Sequence, residues 1–391
     1  TNLLYGWGQQ AVGQLNIGGA GTDTVARSSP VQIGTSSWSQ VSAWGSNVVA
    51  VRSDNIIFAW GLNTNGTTGD NTTVTKSSPA QVRSVAATAP IPTIITTVQS
   101  WVSVSAGQSY SAAIRQDNTL WTWGLNNLGQ LATNDAITRS VPTQISIGGS
   151  WTSVKAANST AFAISSTNLL YGWGQQAVGQ LNIGGTGTDT VARSSPVQIG
   201  TSSWSQVSAW GSNVVAVRSD NIIFAWGLNT NGTTGDNTTV TKSSPAQVRS
   251  VAATAPIPTI ITTVQSWVSV SAGQSYSAAI RQDNTLWTWG LNNLGQLATN
   301  DAITRSVPTQ ISIGGSWTSV KAANSTAFAI SSTNLLYGWG QQAVGQLNIG
   351  GTGTDTLARS AAVQIGSSSW SQVAIWASNV SAIRSDGALF A

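Results

Sequence analysis

Residues 120–131 read Leu-Trp-Thr-Trp-Gly-Leu-Asn-Asn-Leu-Gly-Gln-Leu, a short apolar run that ends in Trp123-Gly124 and continues into a loop containing glycine. Seven such runs end in Trp-Gly, at intervals of 53, 63, 50, 53, 63 and 50 residues. Periods of this order are typical of propellers, solenoids and arrays, in which each unit buries its apolar face against its neighbours. We predict that the seven tryptophans are packing wedges between units; they are Trp7, Trp60, Trp123, Trp173, Trp226, Trp289 and Trp339.

Three unequal units form a larger block, and this block is duplicated. Thr1–Ser166 and Thr167–Ser332 differ only at Ala20, which becomes Thr186, whereas Thr333–Ala391 is a partial third copy that has diverged further. Every motif of the first copy is therefore present again in the second. A single catalytic constellation is not expected, but repeated binding surfaces are.

Each unit contains four segments with the character of a strand. In the first unit these are Leu3–Gly8, Ser28–Ile33, Trp38–Ala43 and Asn47–Arg52. The third alternates apolar and polar residues, and Pro30 stands near the start of the second, where its missing N–H is tolerated. No segment has a convincing helical period. Four strands per unit is the pattern of a propeller blade, so the chain is predicted to be all-β.

The units also resemble a known family. Trp123-Gly124-Leu125-Asn126-Asn127-Leu128-Gly129-Gln130-Leu131, preceded by Val104-Ser105-Ala106-Gly107 and Ala113-Ile114-Arg115-Gln116-Asp117, is similar to the regulator of chromosome condensation (RCC1) repeat. The resemblance covers essentially the whole chain. It implies a seven-bladed β-propeller with four antiparallel strands per blade, forming a single domain over residues 1–391. The repeats are then approximately 3–55, 56–118, 119–168, 169–221, 222–284, 285–334 and 335–387, and a surplus strand start at 388–391 means that a strand from one terminus completes the last blade.

Composition argues against several kinds of function. The chain has no Cys and no His, and all its acidic residues are Asp, so catalytic residues, metal sites and cofactor sites are expected to be absent. Asp70 and Asp135 lie in loops without the ligand spacing of a calcium site. The net charge of +4 is not concentrated in a basic run, so nucleic-acid binding is not expected. The lack of an apolar run of about 18 residues argues against membrane insertion.

Two irregular features are the candidates for contact with a partner. Five tryptophans do not recur in every unit and are better candidates for surface contact than the others, although packing is still the favoured role; they are Trp44, Trp121, Trp210, Trp287 and Trp376. The 63-residue unit carries an apolar insertion, Val85–Thr97, repeated at Val251–Thr263, which either binds a partner or folds over its own blade. The candidate partner-binding residues are Pro90, Ile91, Pro92, Ile94, Ile95, Pro256, Ile257, Pro258, Ile260 and Ile261.

The expected function is structural or adhesive and non-enzymatic. Members of the resembled family include a guanine-nucleotide exchange factor, secreted protein inhibitors, and repeat modules of surface and phage proteins. The weakly charged, Thr- and Asn-rich style, without sulfur, resembles the phage or secreted bacterial type, which implies a virion or extracellular location. The expected partner is a protein or a host-surface receptor, and assembly into a larger particle or a longer chain is also open. The alternative is an inhibitor or regulator, including an exchange-factor-like one, that acts through propeller loops.

Overall fold

The structure is a computed structural model. It describes residues 2–9, 13, 15, 26–83, 100–145, 147, 149–176, 178–181, 191–249, 266–311, 313, 315–342, 347, 358–376 and 379–385. Both copies of the apolar insertion, and therefore all ten candidate partner-binding residues within them, lie outside the described residues.

Within these ranges the chain forms 26 strands and no helix. The strands are β1 Leu3–Gly8, β2 Arg27–Trp44, β3 Asn47–Arg52, β4 Ile57–Gly61, β5 Lys76–Gln81, β6 Trp101–Gly107, β7 Tyr110–Arg115, β8 Leu120–Gly124, β9 Arg139–Gln144, β10 Trp151–Ala156, β11 Thr160–Ser165, β12 Leu169–Gly174, β13 Arg193–Trp210, β14 Asn213–Arg218, β15 Ile223–Gly227, β16 Lys242–Gln247, β17 Trp267–Ala272, β18 Tyr276–Arg281, β19 Leu286–Gly290, β20 Arg305–Gln310, β21 Trp317–Ala322, β22 Thr326–Ser331, β23 Leu336–Gly340, β24 Arg359–Gln364, β25 Trp370–Trp376 and β26 Asn379–Arg384.

The strands pair antiparallel in sequence order. Three sheets have four strands, β6-β7-β8-β9, β17-β18-β19-β20 and β21-β22-β23-β24, and two have seven, β25-β26-β1-β2-β3-β4-β5 and β10-β11-β12-β13-β14-β15-β16. The four-stranded sheets begin at Trp101, Trp267 and Trp317, each of which is the first residue of the first strand of its sheet. They are therefore out of phase with the repeats read from the sequence, which begin at the strand ending in Trp-Gly.

The two larger sheets each contain one strand that the sequence divides into two. The segments predicted at Ser28–Ile33 and Trp38–Ala43 form a single 18-residue strand, β2, and β13 repeats this arrangement. The first half of β2 pairs with β1, and its second half pairs with β3. Gly34-Thr35-Ser36-Ser37 has the composition of a turn, and the structure places an irregularity there: Gly34 has a φ of 65°, and the register of the pairing with β1 shifts between Leu3, opposite Ser37, and Tyr5, opposite Gln32.

The N-terminal strand lies among the C-terminal strands. β1 pairs along its whole length with β26, from Leu3 opposite Arg384 to Gly8 opposite Asn379, and on its other side with β2. The edge of the β25-β26 hairpin is therefore covered by a strand from the opposite end of the described chain, which removes an exposed strand edge.

The backbone conformation explains why glycine follows each tryptophan of the Trp-Gly series. The glycines that follow the seven tryptophans all have positive φ, between 92° and 106°. A side chain at Gly61 would overlap the main-chain oxygen of Ser46, in the turn between β2 and β3. Only glycine adopts this conformation without strain and allows so close an approach, so it ends the strand at this point.

Candidate functional site

The innermost strands surround a central cavity of about 500 Å³. Seven strand segments line it, and each contacts the next in cyclic order: β2, β6, β10, β13, β17, β21, β25 and again β2. Since alternate residues of a strand face the same side, each segment presents to the cavity the second and fourth residues after its tryptophan. This cavity is the candidate functional site.

Glutamine and serine side chains join the strands at one level of the cavity. The Nε2 groups of Gln40, Gln206 and Gln372 each donate a hydrogen bond of 2.5 Å to a main-chain carbonyl of the next innermost strand. Ser153 and Ser319 occupy the equivalent position on the strands that carry lysine. These side chains make the wall of the cavity polar.

Lys155 and Lys321 are the only charged residues among the described residues that line the cavity. Their side chains are half-buried, and neither forms an ion pair within the described ranges. Repulsion by Lys321 together with desolvation lowers the pKa of Lys155 to about 7, and desolvation also lowers the pKa of Lys321. We attribute the repulsion to both residues, because a Coulomb interaction acts equally on its two partners.

A pair of stacked indoles lies at the end of the cavity where the innermost strands finish. Trp44 and Trp210 end their segments of β2 and β13, and their ring centroids are 4.3 Å apart with an interplanar angle of 34°. Both side chains are buried. These two tryptophans are therefore not surface contacts, and the packing role favoured from the sequence fits them: they contact each other across the ring because the duplicated positions face one another.

Trp121 and Trp287 are also buried, so they too do not form surface contacts. The guanidinium carbon of Arg115 lies 3.6 Å from the ring centroid of Trp121 and 4.8 Å from that of Trp101, and Arg281 repeats this arrangement. Burial lowers the pKa of Arg115 to about 10. This cation–π contact places a buried guanidinium against electron-rich rings. It gives Trp121 and Trp287 a packing role within their own sheets. The side chain of Trp376 lies outside the described part of the structure.

The seven tryptophans of the Trp-Gly series are fully buried. The indole N–H of Trp123 donates to the carbonyl of Thr67 at 2.9 Å, and that of Trp289 donates to Thr233 at 2.8 Å. In each case the acceptor belongs to the preceding unit of the sequence. Their role as wedges between units stays a prediction.

The acidic loops at Asp70 and Asp135, which the structure describes, show ion pairs and no metal-binding arrangement. Asp70 forms an ion pair with Lys76 at 2.8 Å, and Asp135 forms one with Arg139 at 2.6 Å. Hydrogen bonds and the Lys76 charge outweigh desolvation and hold the pKa of Asp70 at about 2. No group of three or more His, Cys, Asp or Glu residues suited to a metal ion occurs in the ranges described.

The described residues also include no helix with the length and apolar character needed to cross a membrane.

Five of the most exposed aliphatic residues occupy one equivalent position. Val74, Ile137, Val191, Val240 and Ile303 each stand two residues before a fourth strand, β5, β9, the first half of β13, β16 and β20. Their exposure is between 62% and 65%. We call these residues the aliphatic series. Because β9 and β20 are the edge strands opposite the cavity-lining strands, the series lies toward the outer edges of the sheets.

The lysine pair was not predicted from the sequence. The available signal was the rarity of lysine in an inner strand: Lys155 and Lys321 stand where four other units have serine. Their proximity could not be predicted from the sequence, because residues 166 positions apart come together only in the folded ring.

Family models locate the repeats directly. The regulator of chromosome condensation (RCC1) repeat matches residues 54–114, 117–164, 220–280 and 283–330, and a second RCC1 repeat model matches residues 101–130 and 267–296. Together they cover more than half of the chain.

Similar proteins and structures agree with this assignment. The ultraviolet-B receptor UVR8 of Arabidopsis thaliana is 25% identical over 265 residues, which is 68% of this chain but only 55% of the receptor. Human WBSCR16 superposes with a TM-score of 0.81 at 16% identity, covering 99% of this chain and 100% of that one. Prp20p of Saccharomyces cerevisiae superposes with a TM-score of 0.79 at 15% identity, covering 98% and 92%. These two likenesses show the fold: the chain is an RCC1-like β-propeller.

The repeat matches, the antiparallel four-strand pattern and the cyclic order of the innermost strands lead to one conclusion: the chain belongs to the regulator of chromosome condensation (RCC1) repeat family.

Proposed function

We propose that the protein is a non-enzymatic binding propeller of seven blades that recognises a protein or a host-surface receptor through its outer loops. The blade number is supported by the seven strand segments around the cavity. If β2 and β13 are each divided at their change of partner, every segment begins a group of four paired strands. The group that begins at β25 then contains β26, β1 and the first half of β2.

The aliphatic series is the observation that carries the binding proposal. Isolated exposed aliphatic residues are common and need no explanation. Here they recur at one structural position, each followed two residues later by Lys76, Arg139, Arg193, Lys242 or Arg305. A repeated apolar residue beside a repeated cation offers a partner several equivalent contacts, and equivalent contacts add their binding energy when one partner spans them.

The location is proposed to be extracellular or on a virion. Support comes from the sequence: few charges, no Cys or Met, and a near-identical duplication. A repeated surface suits attachment or assembly into a larger particle or a longer chain, where several moderate contacts act together. Prp20p, which shares the fold, binds Gsp1p and histones, so protein binding is within the capacity of this architecture.

The apolar insertions favour a second candidate, an inhibitor or regulator of one protein partner. Val85–Thr97 and Val251–Thr263 carry Ile-rich, Pro-containing sequence that occurs only in the longest unit of each block. Such a function predicts one partner held in fixed stoichiometry rather than a repeated surface.

A cross-linking experiment in the native source tests the proposal. Photo-crosslinkers at Val74 and Val240 should give adducts with a particle protein or a cell-surface molecule, and mass spectrometry identifies them. Crosslinkers at Pro90 and Pro256 report on the alternative. A freely diffusing cytosolic monomer without adducts at either pair of positions would contradict both candidates.

Once the adduct is identified, matched variants test its specificity. V74N/V240N should weaken binding to the purified partner by roughly thirtyfold, since each change removes a small apolar contact of about 1 kcal/mol and the two together remove about 2 kcal/mol. V102N/V268N alters two valines that are also exposed and also equivalent in the two copies, but outside the series, and should leave the affinity unchanged. Equal effects of the two pairs would show that the series is not the contact surface.

A further inference from the structure

Four innermost strands are joined to their neighbours by a serine at one position of the strand. The Oγ atoms of Ser42, Ser105, Ser208 and Ser271 accept hydrogen bonds of 2.8–3.0 Å from the main-chain N–H groups of Ala106, Ala156, Ala272 and Ala322 on the next strand. We call this contact the serine clasp. It supplies a polar connection between blades at the level of the cavity.

Lys155 and Lys321 stand at the position of the clasp in β10 and β21. A protonated lysine has three donors and no acceptor, so it cannot accept a hydrogen bond from the next strand. The clasp is therefore lost at both places, and two cations stand in a cavity whose described lining has no acidic side chain. A purely structural role for the position is better served by the serine that four of the other units carry.

The two lysines act on one another across the cavity. In the ring of seven segments, β13 and β17 lie between β10 and β21 on one side, and β25, β2 and β6 lie between them on the other. Their charges interact strongly enough to lower the pKa of Lys155. An anion located between them would be attracted by both and would remove their mutual repulsion.

We propose that Lys155 and Lys321 bind a small tetrahedral dianion, sulfate or a phosphate group, within the central cavity. Ser153 and Ser319, two residues earlier on the same strands, line the same cavity and supply hydroxyl donors. The Trp44–Trp210 pair lies at one end, so the anion enters from the end lined by Gln40, Gln206 and Gln372. A cavity of about 500 Å³ holds such an ion together with water.

Sulfate binding to the intact chain tests the proposal. Isothermal titration at pH 6 and constant ionic strength should show one sulfate per chain, and K155Q/K321Q should weaken binding at least tenfold. The matched control is R83Q/R249Q, which removes two charges at exposed, duplicated positions outside the cavity and should not alter the affinity. No binding to the wild type, or equal binding to K155Q/K321Q, would overturn the proposal.

Two further probes separate the sources of the anion. Inorganic phosphate represents a free ion, and glycerol 3-phosphate represents an esterified phosphate group. Tighter binding of the ester supports a phosphorylated small molecule as the ligand, and tighter binding of the inorganic ion supports a free oxyanion. If K155Q/K321Q binds either probe as well as the wild type, the lysine pair is not the site.

The pH dependence gives a measurement that is independent of ligand stoichiometry. The folded-state pKa of Lys155 is lower than its unfolded value, so between about pH 7 and its ordinary value near 10.4 the unfolded chain binds more protons. Stability should therefore rise with pH in this window, seen as a higher urea midpoint at pH 9 than at pH 7. K155Q/K321Q should flatten this rise and still unfold cooperatively. Sulfate, which does not titrate here, should bind more weakly as the pH rises through 7.

Discussion

A single indole N–H distinguishes two buried tryptophans that the sequence treats alike. The Nε1 of Trp123 donates to the Thr67 carbonyl, whereas the Nε1 of Trp38 has no hydrogen-bond partner within the described residues, although the side chain is buried. The Trp-Gly period was enough to predict that Trp123 is a packing residue. It did not give the acceptor, which lies 56 residues earlier in the chain.

At this scale we predict that W123F costs about 1 kcal/mol more than W38F. Both changes remove similar ring area, but only W123F removes a donor from a buried carbonyl. Urea unfolding at neutral pH measures the difference. Equal losses for the two variants would mean that packing alone, without the hydrogen bond, accounts for Trp123.

At the scale of the element, a glycine determines where the third strand of each group of four paired strands ends. Gly61 and its six equivalents have positive φ, and they lie where the register of the pairing with the fourth strand of the group shifts. The sequence predicted the existence and order of the strands from period-2 patterns and flanking glycines. It did not predict that the two halves of β2, and likewise of β13, belong to one strand, because each half pairs with a different neighbour on either side of an irregular stretch.

Gly61→Ala is therefore expected to destabilise the protein by about 3 kcal/mol or more, from left-handed strain together with the overlap with Ser46. Gly34→Ala is the control: its φ is also positive, at 65°, but a side chain there meets nothing within 4 Å. It should cost only about 1 kcal/mol. Thermal unfolding of the two variants, monitored by near-ultraviolet circular dichroism, compares them. Similar losses would rule out the steric part of the argument.

On the scale of the whole molecule, β1 connects the first and last parts of the described chain. Its backbone pairs with β26 on one side and with β2 on the other, its Leu3, Leu4, Tyr5 and Trp7 are buried, and the ring centroids of Tyr5 and Trp7 lie 5.8 and 5.9 Å from that of Trp370. The repeat count indicated that a terminal strand completes the ring. It left open which one, since the two candidate segments have the same pattern.

Deletion of residues 1–9 should lower the free energy of unfolding by about 5 kcal/mol or more, because four large apolar side chains lose their buried positions. Hydrogen exchange should become fastest in β25 and β26. A synthetic peptide of residues 1–9, added in excess, should restore protection, and a peptide with Leu4 and Trp7 replaced by Ser should not. Unchanged protection after the deletion would show that β1 does not close the ring.

The stacked indoles and the facing lysines have a common origin in the 166-residue spacing of their positions. Around the cavity, β2, β6 and β10 of the first block are followed by β13, β17 and β21 of the second and then by β25, so corresponding residues of the two blocks stand nearly opposite each other. A substitution acquired once, before the block was copied, thus furnished both halves of a contact with approximate twofold symmetry.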